Sequence, residues 1–353
     1  MLKINSTPVR TSRNFKINNI QIDEKNLPEK IGKFENIIIQ NESKNIIIEN
    51  KDKSDFKLSY GMGDILTNEV KNNANQRLKV IVKSKTNQNV SISFKQDKEN
   101  KNLVDNIQII LNENTKSNIT IKYESDETTK TYHNGIINVI AKAGATSNIT
   151  IVNLLNKESS DFLTLQNNME KNSKLNYCII DLGGKNTITN YYSNIIGDMA
   201  ENNLESIYLG KNEDVIDLNY IVELRGKKSK VNLDIQGALK DKAKKNFKGT
   251  IDFKTGAKKA VGSEQEDCML LSDTAKAIAL PMLLCSEEDV EGSHATSAGK
   301  IGEKELFYIM SRGFNIKEAM KLMVKAKFNK ILENIKDEVL KEQILNEIDN
   351  RLE

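Results

Sequence analysis

The pentapeptide Ser117-Asn118-Ile119-Thr120-Ile121 returns thirty residues later as Ser147-Asn148-Ile149-Thr150-Ile151. Each copy alternates apolar and polar positions, the two-residue period of a strand with one buried face. Looser echoes follow at Ser173-Lys174-Leu175-Asn176-Tyr177 and Ser229-Lys230-Val231-Asn232-Leu233. A short strand unit that recurs with irregular insertions buries its inward residues only by stacking on the next copy, which is the logic of a β-solenoid.

Other β-rich runs fill the interval from about residue 32 to 285, among them Leu78 to Val82, Val90 to Phe94, Ile107 to Leu111, Ile136 to Ile140, Leu204 to Tyr208 and Gly249 to Phe253. Turns rich in Asn, Lys, Gly and Ser separate them, and helical periodicity is almost absent. A sandwich is the competing β architecture. Only 5% of residues are aromatic and Trp is missing, so the narrow interior of a solenoid, filled by Ile, Val and Leu, fits better. The fold class expected is mainly β, with a solenoid core over 32–299, a polar N-terminal arm over 1–31 and a small helical domain over 300–353.

The helical expectation rests on three segments. Lys304 to Gly313 carries Leu306, Phe307, Ile309 and Met310, with Gly313 as its stop. Asn315, with Glu318 three residues on, reads as a capping box before a stripe of Ile316, Ala319, Met320, Met323, Phe328, Ile331 and Leu332. Residues 337–352 read as a third amphipathic helix.

Charge narrows the function classes. Lys and Arg number 52 against 49 Asp and Glu, a net charge of +3, and the charges are interspersed. A nucleic-acid binder concentrates basic residues on one face. No apolar run has the length of a signal peptide or a membrane span, so a cytoplasmic protein with no membrane partner is expected. The three cysteines, Cys178, Cys268 and Cys285, are too few and too far apart for a disulfide framework or a zinc ribbon, and read as reduced thiols.

Residues 264–313 hold most of the chemistry-bearing side chains: Cys268, Cys285 and His294, with Glu266 and Asp267 beside the first cysteine and an acidic run from Glu287 to Glu291 before the histidine. Thiol, imidazole and carboxylate groups in one segment are soft and borderline metal ligands. Each also has an ordinary reading: a histidine in a loop as a hydrogen-bonded surface residue, a free cysteine as a small buried hydrophobe, an acidic run as a solvated turn. His294 is read in a small-residue junction after a strand, Cys178 as a residue of the coil interior, and His133, in Tyr132-His133-Asn134-Gly135, as an exposed turn residue. Phosphate-binding loops of the Gly-x-x-x-x-Gly-Lys-Ser/Thr and Gly-x-Gly-x-x-Gly types are missing, so no nucleotide is expected on this chain. A β-helix polysaccharide-active enzyme is the alternative of another class; it would call for aromatic sugar platforms and clustered Asp residues on neighbouring coils.

Several blocks in order resemble the SufB/SufD family of iron–sulfur cluster assembly proteins: Asn246-Phe247-Lys248-Gly249-Thr250-Ile251, Glu264-Gln265 with Leu270-Leu271-Ser272-Asp273-Thr274-Ala275-Lys276, Leu280-Pro281, Glu288-Asp289-Val290-Glu291-Gly292-Ser293-His294, and Leu306-Phe307-Tyr308-Ile309-Met310-Ser311-Arg312-Gly313. Val9-Arg10-Thr11 is also similar. The resemblance implies a right-handed parallel β-helix followed by a helical domain that docks a SufC-type ATPase. It also implies pairing through the β-helix with a SufB-type subunit, or with a second copy, and indirect service by a cysteine desulfurase system.

By the same resemblance His294 matches the histidine of the subunit interface, and Gly292-Ser293-His294-Ala295-Thr296 is closer to the SufD pattern than to the SufB one. The essential SufB cysteine aligns near Glu266, with Cys268 two residues on at the same strand parity. The expectation is therefore a non-catalytic, SufD-like scaffold subunit, with a SufB-like homodimeric subunit carrying the nascent cluster as the alternative within the family. His294 and Cys268 are the candidate ligands of a transient iron–sulfur cluster, with Glu266 a further candidate for metal. Leu306, Phe307, Met310, Arg312, Met320, Met323 and Phe328 are the candidate partner-binding residues.

Overall fold

The computed structural model of the chain describes residues 1–10, 17–41 and 43–353; Thr11 of the Val9-Arg10-Thr11 motif lies outside them. In chain order the elements are β1 (Leu2–Ile4), β2 (Ile20–Ile22), β3 (Ile37–Asn41), β4 (Ile46–Asn50), α1 (Asp64–Asn73), β5 (Gln76–Val82), β6 (Asn87–Gln96), β7 (Asn102–Leu111), β8 (Lys116–Ser125), β9 (Tyr132–Ala141) and β10 (Thr146–Leu154). They continue with β11 (Ser160–Met169), β12 (Lys174–Asp181), β13 (Asn186–Ile195), β14 (Glu201–Gly210), β15 (Val215–Leu224), β16 (Lys230–Leu239), β17 (Lys244–Phe253), β18 (Ala260–Leu270), β19 (Lys276–Cys285), β20 (Val290–Lys300), α2 (Glu303–Met310), α3 (Ile316–Leu332) and α4 (Glu338–Leu352).

Successive strands from β5 onward alternate between two nine-stranded sheets, so each coil contributes one strand to each. Sheet I runs β20-β18-β16-β14-β12-β10-β8-β6-β3 and sheet II runs β19-β17-β15-β13-β11-β9-β7-β5-β4. The ladders are parallel except where β3 and β4 reverse to close the N-terminal end against β6 and β5. The expected β-solenoid is the fold.

The repeated pentapeptide owes its recurrence to stacking in register. Ser117 and Ser147 meet inside at 2.9 Å, and Ile119 and Ile149 share the core. Outside, the amides of Asn118, Asn148, Asn176 and Asn203 each donate to the asparagine on the preceding coil at 2.8 to 2.9 Å, beginning at Asn89. Coil corners use the left-handed region, at Asn114, Asn172, Asn212 and Asp241 among others, where short polar side chains are best tolerated.

Each outer face is covered over part of its length. On sheet II, Val104, Tyr132, Ile136, Phe162 and Ile188 pack beneath α1 and the arm residues Ile4, Ile20 and Ile22. On sheet I, Val152, Cys178, Ile180, Ile207, Leu209 and Ala238 pack beneath Val324, Phe328, Ile331 and Leu332 of α3 and Ile344 and Ile348 of α4. The capping box at Asn315 and Glu318 forms as expected, and α4 begins at Glu338 with Asp337 as its cap.

Four readings change. Helix α1 interrupts the strand array: its apolar residues Ile65, Leu66 and Val70 give no helical stripe, yet Leu66 and Val70 are buried. Cys178 lies on the outward parity of β12, under α3, because the helices make that face as apolar as the interior. His294 belongs to a strand, β20, held only by its ladder to β18. His133 is not an exposed turn residue; it is fully buried in β9.

Candidate functional site

The solenoid ends in an open coil. β19 pairs only with β17 and β20 only with β18, so among the described residues both sheets present a free backbone edge at this end. Such edges are ready templates for a further chain. The inward parity of the last coil is small: Ala277, Ala279, Pro281, Leu283 and Cys285 on β19, with Val290, Gly292, His294, Thr296 and Ala298 on β20. His294 is exposed there.

One coil deeper the interior turns polar. Lys245 and Glu266 are fully buried and form an ion pair at 2.7 Å. Tyr208 donates to the same carboxylate oxygen at 2.5 Å. Burial holds the Cys268 thiol above its ordinary pKa, which disfavours the thiolate that binds metal. Glu264, on the same parity of β18, is 2% exposed, and neither carboxylate oxygen has a hydrogen-bond partner among the described residues. Burial, then the nearby Glu266, pushes its pKa up to about 8.

The ladder sets His294 beside Glu264, Thr296 beside Glu266 and Ala298 beside Cys268. Cys268 is thus four strand positions from His294's neighbour, about 13 Å along the strand. Among the described residues, no group of three or more His, Cys, Asp or Glu side chains is arranged to hold a metal ion. Cys285 is exposed at the rim, its thiol donating to the Glu287 carbonyl at 2.9 Å, and the acidic run makes the β19–β20 turn, where Glu287 accepts from the Gly256 amide at 2.9 Å.

A second buried charge cluster crosses the middle of the core. His133 Nε2 lies 2.6 Å from Asp105 and its Nδ1 contacts Asp161. The two aspartates, after the opposing effect of burial, raise the imidazole pKa to about 9. Tyr123 stacks on the ring at 4.1 Å, and Asn153 donates to Asp161 at 2.7 Å.

The helical candidates separate by face. Phe307 is 74% exposed, Tyr308 59% and Phe314 43%. Met310 and Arg312 are also exposed, and Leu306, Met320 and Met323 are half-buried. Phe328 is fully buried against sheet I, so its apolar surface serves the chain's own packing. Sequence reasoning missed Glu264 as a buried, unpartnered carboxylate; its signal was the alternation Glu264, Glu266, Cys268 on one strand face.

A family model described as the SufBD core domain of the SUF system for iron–sulfur cluster assembly matches residues 94–327, well over half of the chain. The chain is 27% identical over 182 residues to the iron–sulfur cluster assembly protein SufD of Bacillus subtilis, covering 52% of this chain and 42% of that one. It is 32% identical over 168 residues to a SufBD family protein of Pyrococcus horikoshii, covering 47% and 36% respectively. Over 112 residues it is 32% identical to SufD of Escherichia coli, covering 32% and 26%. The matched segments span less than half the length of these relatives. No described helix is long and apolar enough to cross a membrane. The chain belongs to the SufBD core family of the SUF iron–sulfur cluster assembly system.

Proposed function

We propose that this chain is a SufD-like scaffold subunit of iron–sulfur cluster assembly and not itself a catalyst. It would pair through the open end of its solenoid with a SufB-type subunit, or with a second copy, and dock a SufC-type ATPase through α2 and the start of α3. The observation that carries this reading is the conjunction of two free strand edges with an exposed His294 on the last coil. In that assembly the cluster is cargo, built from iron and sulfide and passed on. His294 supplies an imidazole at the rim, while Cys268 lies deeper and is held as a thiol, which assigns it a smaller part.

The ATPase dock is supported by the aromatic and apolar side chains exposed between Phe307 and Ile316. Exposed aromatic residues of this kind are enriched where protein interfaces form. The test is co-purification of the full chain with its host's SufC-type ATPase. Phe307→Glu and Phe314→Glu are expected to abolish the complex without changing the melting temperature of the chain. A complex of unchanged stability in both variants would refute this dock.

A further inference from the structure

One corner of the solenoid carries a conformational cost that the fold itself does not require. Where sheet II turns into sheet I, six consecutive coils each place a residue in the left-handed region: Asn114, Gly144, Asn172, Met199, Lys228 and Lys259. Their amides form a ladder along the corner, with Asn172 donating to the Asp198 carbonyl at 2.9 Å, Met199 to that of Lys227 at 2.8 Å and Lys228 to that of Lys258 at 2.9 Å. Asparagine and glycine suit this conformation; a methionine and two lysines on successive coils do not. Backbone strain kept at one place in a fold points to function there.

The lysines do not serve the chain's own packing. Lys227, Lys228, Lys258 and Lys259 are exposed, and among the described residues none of their ammonium groups has an ion pair or a hydrogen bond. Arg225 and Lys254 beside them are held by Glu223 and Asp252, and the Asp198 carboxylate is turned to the Lys227 backbone amide at 2.8 Å. On the adjoining turn Ile196 is 54% exposed and Met199 45%.

The patch is short. Three coil corners span about 10 Å, and the next turn, Glu287-Glu288-Asp289, reverses the sign of the charge. Nucleic acid or an anionic bilayer needs a basic surface that continues; along this corner either would meet carboxylates. A short acidic segment with one apolar side chain matches both halves of the patch, its carboxylates on the lysines and its apolar group on Ile196 and Met199.

We propose that this corner docks a short acidic segment of a partner protein through Ile196, Met199, Lys227, Lys228, Lys258 and Lys259. The surface lies apart from the open strand edges and from α2, and the proposal does not depend on the scaffold reading.

The test is fluorescence anisotropy of the full chain with a labelled synthetic peptide, Asp-Glu-Glu-Leu-Phe-Asp-Glu-Glu, at low salt. Saturable binding is expected, weakened about tenfold or more by Lys228→Glu combined with Lys259→Glu. Lys83→Glu combined with Lys85→Glu, at the N-terminal end of the same corner, is expected to leave it unchanged. Lys228→Asn and Lys259→Asn put a residue suited to the left-handed backbone at each position, so they are expected to bind the peptide more weakly and to melt no lower than the wild type. If the charge reversal fails to fold, these two variants decide. No binding by the wild type at millimolar peptide, or equal affinity in the lysine variants, overturns the proposal. A lower melting temperature in the asparagine variants would give the lysines a structural role and overturn it as well. Phosphatidylserine vesicles or a DNA duplex bound more tightly than the peptide, and lost in the same variants, would overturn the protein occupant.

Discussion

Tyr208 reaches across Gly237 to set its hydroxyl 2.5 Å from Glu266, two strands along sheet I from its own position. The ring fills the space that any side chain at 237 would need: a Cβ there would lie 1.9 Å from Tyr208 Cζ. Gly237→Ala should therefore expel the ring and break the Lys245–Glu266–Tyr208 group. We expect a loss of about 3 kcal/mol or more in chemical unfolding, at or above the upper end of ordinary overpacking. Gly299→Ala, with nothing within 4 Å of the added carbon, should change stability by less than about 0.5 kcal/mol.

The buried ionisable groups give the chain a signed pH dependence. His133 is raised to about 9, Asp181 to about 8 by burial and then Asp161, and Glu264 to about 8; Asp105 is also raised, chiefly by burial. Every one of these folded-state values lies above the unfolded one, so the folded state binds the extra protons and loses stability as pH rises. The His133 contribution is fully present below about pH 6.5 and lost through about pH 9. The melting temperature is expected to fall between pH 6.5 and 9. Asp181→Asn, which fixes the neutral form, should flatten that fall, and a melting temperature that rises over the interval would contradict the assignment.

Asn5 ties the N-terminal arm to buried polar groups of sheet II. Asn5, left-handed at φ 55, donates to Asp217 Oδ1 at 2.6 Å, accepts from Asn190 at 2.8 Å, and offers its carbonyl to Lys248 at 2.8 Å. Asn5→Ala leaves the buried Asn190 amide unmatched and takes one of three donors from Asp217, which keeps Lys248 and Asn246, and about 1 to 3 kcal/mol should be lost in denaturant unfolding. An unchanged midpoint would mean that the apolar contacts of Ile4, Ile20 and Ile22 hold the arm alone.

The helices carry two faces that mutation separates. Phe328→Ala opens a cavity between α3 and sheet I and should cost about 3 to 5 kcal/mol. Phe307→Ala should leave thermal stability unchanged and weaken ATPase binding, measured on the same preparations.

The solenoid was legible because stacking in register forces the same alternation on each coil, as Ser117-Asn118-Ile119 and Ser147-Asn148-Ile149 show. His133 was misread because Asn134-Gly135 is a strong turn signal. In β9 that glycine serves the charge cluster instead: a Cβ at 135 would stand 2.6 Å from His133 Nε2 and 2.8 Å from Asp105 Oδ1. Asn134 is likewise engaged, donating to Glu69 of α1 at 2.7 Å. Cys178 was placed on the wrong face because Tyr177-Cys178-Ile179-Ile180 is apolar on both parities, one facing the core and one facing α3. Gly292, Ser293, Ala295 and Ser297 carry little strand propensity, so β20 was visible only through its pairing with β18.

The most direct measurement is the iron and acid-labile sulfide content of the complex purified anaerobically with a SufB-type subunit and a SufC-type ATPase, with its mass read by size exclusion. The result expected is a stable complex that carries iron and sulfide, and a His294→Ala complex of the same mass that has lost most of both. Unchanged iron and sulfide in His294→Ala would contradict the ligand role of His294, and no complex with the wild type would contradict the scaffold assignment.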